Sequence, residues 1–471
     1  MDAVVVGAGP NGLAAAVALA QAGRSVTVLE GAETIGGGTR TAELTVPGLK
    51  HDICSAVHPF ALASPFLASL PLAEHGLVWR HPEVDLAHPL DDGTAGVMVR
   101  SLDDTCAGLG VDGPAWRQVF GPLTRGFDDL AQDVLGPVLR WPGHPVRMAR
   151  FGLRAGLPAT VLAKRFRTPQ ARALFTGSAA HLFRPLGRPV TASVGVMLTA
   201  AGHVHGWPVP EGGSASITDA LASLLAELGG TVVTGHPVRS RADLPPARVT
   251  LFDTGPETVA DLYGEELPGR TRRAYRRYRH GPAAYKVDLA VRGGVPWTAE
   301  AARRAGTVHV GGTLEEIADA EAAVCAGRMP ERPFVLVAQQ SLADPTRAVG
   351  DVHPVWAYAH VPSGWEGPGE EVVLDQLERF APGLRERVVA TAVRTPADLA
   401  ADNPNYIGGD IAGGGNDLRQ LLGRPRWAGD PYATGVPGVY LCSAATPPGA
   451  GVHGMCGYRA AGRALAWLTA S

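Results

Sequence analysis

The sequence is short of cysteine and has no excess of positive charge, and both features exclude classes of protein. Five cysteines lie scattered among 471 residues, and no two of them form a C-x-x-C pair. This odd set argues against a disulfide framework and against thiol redox chemistry, and it indicates a reducing compartment. Lys and Arg together number 42 against 45 Asp and Glu, a formal charge of −3. We therefore expect no nucleic-acid partner.

A membrane-spanning segment and the common hydrolase motifs are also missing from the sequence. The apolar run over residues 13–20 is far shorter than the ~20 residues that a spanning helix needs, and no basic segment precedes it as in a signal peptide. G-x-S-x-G and H-E-x-x-H do not occur, so we expect neither a hydrolase nor a metal site. The length and the 45% hydrophobic content predict a cytoplasmic enzyme of two or three domains.

The sequence does contain a dinucleotide fingerprint near its start. The apolar run Ala3–Val6 predicts a buried parallel strand, residues 13–22 have helical composition, and a second apolar run over residues 25–29 ends at Glu30. This order of strand, glycine turn, helix, strand and acid is the context that makes G-x-G-x-x-G specific. The predicted nucleotide contacts in the turn are Gly7, Gly9, Pro10, Asn11 and Gly12.

Each position of the fingerprint has a physical role. Gly7 permits the tight turn, Gly9 lets the backbone approach the phosphates, and Gly12 lets helix and strand pack closely. The helix N-terminus supplies N–H donors and the positive end of a dipole for a pyrophosphate. Glu30 stands where a carboxylate accepts the ribose hydroxyls, and its charge would repel a 2′-phosphate. At this point FAD and NAD both fit.

The next glycine cluster favours FAD. The stretch "GGGTR" closely follows Glu30 and resembles the second pyrophosphate contact of flavoproteins with two dinucleotide-binding domains. Its arginine offers a fixed cation to the diphosphate, and the alternative is an ordinary surface arginine. The predicted contacts in this cluster are Gly36, Gly37, Thr39 and Arg40.

Two basic stretches in the middle of the chain each have two interpretations. Residues 145–167 interleave six Arg or Lys with apolar residues, which suits either a helix on a membrane surface or an ordinary helical layer whose arginines face water. Pro158 favours the ordinary layer. Residues 270–280 place arginines around Tyr275 and Tyr278, and we favour a solvated helix over single-stranded nucleic-acid binding because no basic domain accompanies them.

Strand-like runs in the second half predict an antiparallel sheet in a second domain. Alternation places Trp356, Tyr358 and His360 on one face of the last run. These side chains either line a substrate cavity or are half-buried sheet residues with satisfied donors. The runs cover residues 284–291, 307–310, 334–339 and 355–361.

A second G-x-G-x-x-G occupies residues 449–454, after an apolar run over residues 438–442 that predicts a buried strand. An insert, residues 443–448, separates this motif from its strand, and no further strand or acid follows it. There is no room for a second mononucleotide unit. We therefore expect the last strand to join the first sheet and the last helix to meet the same ligand.

Three segments together resemble a known family. "GAGPNGLAAA", "PEGGSASITDALASLLAELGGTVVTGHPV" and "GVYLCSAATPPGAGVHGMCGYRAAG" are similar to phytoene desaturase-like FAD-dependent oxidoreductases, and more closely to their pyridine nucleotide-disulfide oxidoreductase domain-containing protein 2 branch. The resemblance implies an α/β fold, with a Rossmann FAD domain of the two-dinucleotide-binding type and a second α+β substrate domain of mixed sheet and helices. It assigns residues 1–60, 206–260 and 430–471 to a discontinuous FAD-binding domain and residues 61–205 and 261–429 to a substrate-binding domain.

The resemblance also assigns individual residues to FAD. It places Ala56 and Val57 near the isoalloxazine ring and the backbone of Val238 at the adenine. Relatives carry a Gly-Asp pair after the last strand, whereas this chain has Ser443 and alanines there, a departure at the ribitol contact. The remaining contacts implied are Thr254 and Gly255 beside the phosphates, and Ala444, Gly451, Val452 and Met455 around the ribitol and flavin.

The implied activity is dehydrogenation or isomerisation of C–C bonds in a largely apolar small molecule. A flavin amine oxidase is the alternative enzyme, and a flavin-binding protein that serves a partner or a membrane without catalysis is the third possibility. His453, in the loop expected to face the flavin, is the candidate catalytic residue. Its alternative is a purely structural hydrogen bond. His58 is a second candidate, and peripheral membrane contact stays open.

Overall fold

The computed structural model describes residues 1–137 and 140–470, and within them the chain forms two main sheets of five and seven strands. The strands are β1 Ala3–Val6, β2 Val26–Leu29, β3 Thr41–Glu43, β4 Lys50–Asp52, β5 Trp79–Arg80, β6 Val84–Pro89, β7 Ala95–Met98, β8 Val209–Pro210, β9 Thr231–Val233, β10 Val249–Phe252, β11 Ala283–Arg292, β12 Ala305–Val310, β13 Val335–Ala338, β14 Val352–Val361, β15 Val388–Arg394 and β16 Val439–Leu441. The helices are α1 Pro10–Gln21, α2 Pro59–Leu62, α3 Pro65–Ala68, α4 Leu102–Gly108, α5 Gly113–Thr124, α6 Phe127–Val134, α7 Pro145–Ala155, α8 Ala159–Ala163, α9 Pro169–Ala180, α10 Ala192–His205, α11 Ala215–Glu227, α12 Pro256–Tyr263, α13 Gly269–Arg276, α14 Leu314–Cys325, α15 Glu370–Phe380, α16 Leu384–Arg387, α17 Pro396–Asp402, α18 Leu418–Gly423 and α19 Met455–Ala470.

The five-stranded sheet is parallel and has the order β16-β10-β1-β2-β9. Its central strand β1 is buried at every residue, as expected for a strand covered by helices on both faces. β16 pairs with β10, which confirms that the last strand joins the first sheet. The strands come from all three segments predicted for the FAD domain, whose boundaries stay predictions.

Helices α1 and α19, from opposite ends of the chain, pack directly against each other. α1 is built largely of alanine and is buried along most of its length, so small side chains bring its backbone close to its neighbours. A Cβ on Gly457 of α19 would lie 1.8 Å from the backbone oxygen of Asn11. The two helices can approach this closely only because residue 457 is glycine.

The seven-stranded sheet is mixed, with the order β15-β11-β14-β13-β12-β6-β7. Most neighbours are antiparallel, but β12 and β6 are parallel. The prediction of an antiparallel sheet from residues 284–361 holds for those strands, and the mixed sheet implied by the family resemblance is confirmed for the sheet as a whole. A parallel pair needs a long crossover, and here the chain between β6 and β12 includes several helices and the return to the first sheet.

A layer of helices between residues 102 and 205 covers one side of the seven-stranded sheet. α9 packs on β6, β7 and β12, and α10 packs on α9. Residues 145–167 form α7 and α8, and the break between them falls at Pro158. In the other basic stretch Tyr275 and Tyr278 are buried. None of the helices in the described residues combines the length and apolar character that a membrane crossing requires.

We predict that the same substitution at two glycines of α19 changes stability in opposite directions. Gly457→Ala forces a methyl group into the Asn11 carbonyl and should destabilise the protein by about 1–3 kcal/mol. Gly462→Ala places its methyl where no heavy atom lies within 4 Å and should stabilise the protein by about 0.5–1 kcal/mol. Urea unfolding of both variants measures the difference, and equal effects would contradict the packing described.

Candidate functional site

One cavity of about 870 Å³ extends from the carboxyl edge of the parallel sheet to the face of the seven-stranded sheet. Its walls contain most of the residues predicted to contact a cofactor: Gly7, Gly9, Pro10, Asn11, Glu30, Gly37, Thr39, Arg40, Ala56, Val57, Val238, Thr254, Gly255, Ala444, Gly451 and Val452. The predicted site residues that lie outside the cavity lining are Gly12, Gly36, Met455 and His453. Residues from both ends of the chain therefore meet at one cavity.

The N-terminal turn has the geometry that its glycines predict. Gly7 has a φ of +100°, which side-chain-bearing residues rarely adopt. A Cβ on Gly12 would lie 2.0 Å from the carbonyl oxygen of Gly7, so α1 and the turn pack without space for a methyl group. Gly36, although outside the lining, donates its N–H to the carbonyl of Ala8 (2.9 Å). This bond fixes the "GGGTR" segment against the turn.

Glu30 and Arg40 order the backbone around the same end of the cavity. The two carboxylate oxygens of Glu30 accept the N–H groups of Ala8 (2.7 Å) and Ala32 (2.9 Å), and a carboxylate retains lone pairs for hydroxyl donors. Arg40 donates to the carbonyls of Gly37 (3.0 Å) and Asp402 (2.8 Å). Its guanidinium is thus held by neutral carbonyls on the cavity wall, with its charge available to an anion.

Asp253 is a cavity residue that our sequence reasoning missed. It follows β10 directly, and its Oδ2 accepts the N–H of Gly12 at 2.8 Å. Burial, with a further contribution from the charge of Glu30, raises its pKa to about 7. A protonatable acid therefore lies at the N-terminus of α1. The available sequence signal was its position at the carboxyl end of a buried strand next to Thr254.

His453 packs inside the C-terminal glycine loop and is not exposed to solvent. Gly451 has a φ of +134°, and a Cβ there would lie 2.9 Å from Cδ2 of His453. The imidazole is buried, its Nδ1 accepts the N–H of Met455 at 3.0 Å, and burial lowers its pKa to about 4. Met455 is the first residue of α19, so this bond satisfies a free helix N–H. The geometry assigns His453 a structural bond, and its catalytic role stays a prediction.

Arg424 is a second residue that the sequence reasoning missed, and it contributes a buried positive charge to the cavity. Its side chain is fully buried, and it donates to the carbonyl of Ala444 (3.3 Å) and to Oδ1 of Asn416 (2.5 Å). No carboxylate of the described residues lies within ion-pair distance of it. A buried cation with only neutral partners is costly, so its charge is available to an anionic group in the cavity.

Aromatic and apolar side chains form the opposite end of the cavity. The rings of Trp356 and Tyr358 meet edge to face with centroids 4.9 Å apart, as expected from their alternation along β14. Both line the cavity, whereas His360 from the same predicted group does not; it is buried and its Nδ1 lies 2.6 Å from Oε1 of Glu321. The other apolar side chains at this end are Phe60, Leu182, Val194, Leu198, Trp207, Leu336 and Ala338.

A pair of histidines adds hydrogen-bonding groups to the apolar end of the cavity. His181 lines the cavity, and its Nε2 lies 3.0 Å from Nε2 of His309. Burial lowers the pKa of His181 to about 3 and that of His309 well below its usual range, so both rings are neutral near pH 7. His58, the second sequence candidate, also lines the cavity, and its Nε2 bonds to Ser214 Oγ at 2.8 Å.

His280 lies where this cavity meets a second one of about 820 Å³. Its Nε2 is 3.0 Å from Glu257 and its Nδ1 is 3.7 Å from Asp410. Burial alone would lower the pKa of His280, but the two carboxylates outweigh it and raise the pKa to about 9. At the boundary of the two cavities, the charged imidazole of His280 therefore connects its own segment to the segments that carry Glu257 and Asp410.

Comparison with known proteins identifies the N-terminal region first. Residues 5–65 match the family model for an NAD(P)-binding Rossmann-like domain. The mouse (Mus musculus) protein called pyridine nucleotide-disulfide oxidoreductase domain-containing protein 2 is 26% identical over 98% of this chain and 92% of its own length. The chain is a homologue of this mouse protein. The branch inferred from sequence is thereby confirmed, while the wider phytoene desaturase-like assignment stays a prediction.

Solved structures share the fold of this chain. An oxidoreductase from Methanosarcina mazei superposes with a TM-score of 0.64 at 18% identity, over 98% of this chain and 100% of that one. Putrescine oxidase bound to putrescine superposes with a TM-score of 0.62 at 21% identity, over 100% and 99%. The fold has a dinucleotide-binding Rossmann domain and a second mixed sheet. The five cysteines are free, so the "disulfide" of the relative's name has no counterpart in this chain.

We predict that His280→Gln lowers stability more in mild acid than in alkali. The raised pKa means that the charged form stabilises the folded state fully below about pH 6.5 and that this contribution is lost as the pH rises through 9. The variant should lose roughly 3 kcal/mol near pH 6 and a few tenths near pH 9.5. Urea unfolding at both pH values measures this, and a loss independent of pH would contradict it.

Proposed function

We propose that the protein is an FAD-dependent oxidoreductase that dehydrogenates or isomerises C–C bonds of a largely apolar small molecule. The observation that carries this proposal is the division of one cavity into two chemically different ends. Glycine backbone, Glu30 and Arg40 form one end, and aromatic and aliphatic side chains form the other. Such a cavity suits a dinucleotide whose reactive ring faces an apolar substrate.

The described residues fit FAD at the nucleotide end. A Cβ on Gly9 would lie 2.8 Å from Oδ2 of Asp253, so only glycine keeps the approach to the phosphates open. Several cavity residues hold buried polar atoms without a partner in the described part of the chain, among them Oδ1 of Asn11 and Nε of Arg424. Unpaired buried polar atoms are uncommon in native proteins. Ligand groups that complete these bonds would explain them.

The protein's own contribution to the reaction is orientation, charge and exclusion of water. FAD bound here supplies an acceptor for two electrons, chemistry that side chains lack. Ala56, Val57 and Val452 form apolar walls beside the expected ring position, and Arg424 provides a fixed positive charge for an anionic group nearby. The neutral imidazole of His181, which lies 3.0 Å from His309, can form a hydrogen bond to a polar group of the substrate at the apolar end.

The distribution of carboxylates favours an uncharged substrate over an amine. The carboxylates that line the cavity are Glu30, Asp253 and Asp402, and all three belong to the nucleotide end, where Asp402 also holds Arg40 through its carbonyl. A protonated amine at the apolar end would therefore have no carboxylate beside it. Amine oxidation nevertheless stays the second candidate, because putrescine oxidase shares the fold and Trp356 and Tyr358 offer aromatic faces.

Anaerobic reduction of the purified flavoprotein distinguishes these candidates. Polyenes, fatty substrates and cyclic hydrocarbons with an oxidisable C–C bond should bleach the flavin absorbance, and simple amines should not. Bleaching by amines alone would establish the second candidate instead. If neither these compounds nor NAD(P)H bleach a bound flavin, and none of the compounds is isomerised, the protein is a flavin-binding protein without this catalysis.

We predict that FAD affinity falls above neutral pH because of Asp253. Its pKa of about 7 means that the side chain is neutral near pH 6 and charged near pH 8, where it would repel a diphosphate. Affinity of the apoprotein for FAD should fall about tenfold between those values. Asp253→Asn should abolish the dependence of FAD affinity on pH, while its amide oxygen still accepts the N–H of Gly12.

Asp219→Asn is the matched control for this prediction. Burial raises the pKa of Asp219 as well, but Asp219 does not line the cavity. This variant should keep the pH dependence of the wild type. Quenching of FAD fluorescence on binding gives the affinity. If FAD affinity falls with pH in Asp253→Asn as steeply as in the wild type, that result would refute the role of the Asp253 carboxyl group.

A further inference from the structure

The segment between residues 141 and 165 exposes large apolar side chains to an unusual degree. Trp141 is 88% exposed, Leu153 76%, Val146 64% and Val161 49%. Exposed apolar residues scattered singly are normal on a protein surface, but a local group of them marks an interaction site. We call the exposed side chains of this segment the 141–165 patch.

In helix α7 the exposure of Val146 and Leu153 belongs to one face. Phe151 and Ala155 are buried and fix the inner face of the helix. Val146, Arg150 and Leu153 follow at intervals of four and three residues, so they share the outer face. A helical layer with an ordinary solvated face accounts for the arginine. It does not account for valine and leucine on either side of it.

Cations of the 141–165 patch are not neutralised by acidic side chains. Arg154 and Arg165 both donate to Gln118, to its carbonyl and its Oε1 respectively. Burial and the positive charges of Arg150 and Arg165 lower the pKa of Arg154. Within the described residues none of these arginines forms an ion pair, whereas Arg147, on the same helix, pairs with Asp129 at 3.2 Å. The patch thus carries uncompensated positive charge.

Apolar side chains interleaved with unpaired arginines match the surface of an anionic bilayer. The apolar groups enter the boundary between headgroups and acyl chains, and the guanidinium groups remain among the lipid phosphates. Tryptophan favours this boundary because its ring is amphipathic. An acidic protein would satisfy the arginines, but it would leave the exposed Trp141 and Leu153 unexplained unless it also presented an apolar surface.

The patch is also close to the substrate end of the cavity. α7 packs against α10, and Val194 and Leu198 of α10 line the cavity. We propose that the 141–165 patch docks this protein on the surface of an anionic lipid bilayer. This proposal does not depend on the oxidoreductase activity, since it rests on the exposed side chains alone.

Vesicle co-sedimentation with the full-length protein tests the proposal. Wild-type protein should sediment with phosphatidylcholine vesicles that contain phosphatidylglycerol and much less with phosphatidylcholine alone. Raising the salt from ~50 to ~500 mM should weaken the binding. The double variant Trp141→Ser, Leu153→Ser should lose about tenfold or more in affinity, and Arg150→Gln, Arg165→Gln should lose its preference for the anionic vesicles.

The matched control changes a tryptophan and a leucine that are exposed elsewhere. Trp427 is 53% and Leu418 47% exposed, and neither lies in the patch. Trp427→Ser, Leu418→Ser should bind vesicles as the wild type does. No sedimentation of the wild type, or an equal loss in the control, would overturn the proposal. Loss of binding in the arginine variant but not in the Trp141, Leu153 variant would also overturn it, because that result indicates electrostatic adsorption in which the apolar side chains take no part.

Discussion

The close contact between α1 and α19 is the constraint on which the rest of the structure depends. Because residue 457 is glycine, α19 can lie against the backbone of Asn11, and the loop that precedes α19 reaches the cavity of the N-terminal turn. Two glycine motifs from opposite ends of the sequence thereby line one cavity. The strand order of the parallel sheet has the same effect, since β16 pairs with β10 and β10 pairs with β1.

The N-terminal half of the site was predictable because its determinants are local. Strand, turn, helix and Glu30 follow one another within a short stretch, and the close approach of Gly12 to the carbonyl of Gly7 lies within it. Asp253 was not predictable in this way. It matters because it bonds to Gly12, which lies 241 residues away in the sequence, and a long-range contact leaves no periodic pattern.

At the substrate end of the cavity, sequence reasoning predicted only the residues that belong to strand β14. Alternation along β14 correctly grouped Trp356 and Tyr358, because successive strand residues point to opposite faces. The helical layer that closes the other side places His181 against His309, and that contact spans 128 residues. The sequence favoured an ordinary helical layer for the basic segment, but composition does not show which face of a helix is buried, so the exposure of Leu153 came only from the packing.

The central claim is that the two glycine motifs hold one dinucleotide between them. The most direct measurement is the amount of FAD released per chain after denaturation of protein that has been saturated with FAD and freed of excess ligand. The account predicts one FAD per chain, because both motifs line a single cavity. Two FAD molecules per chain would show that each motif binds its own nucleotide, and none would show that the cavity serves another ligand.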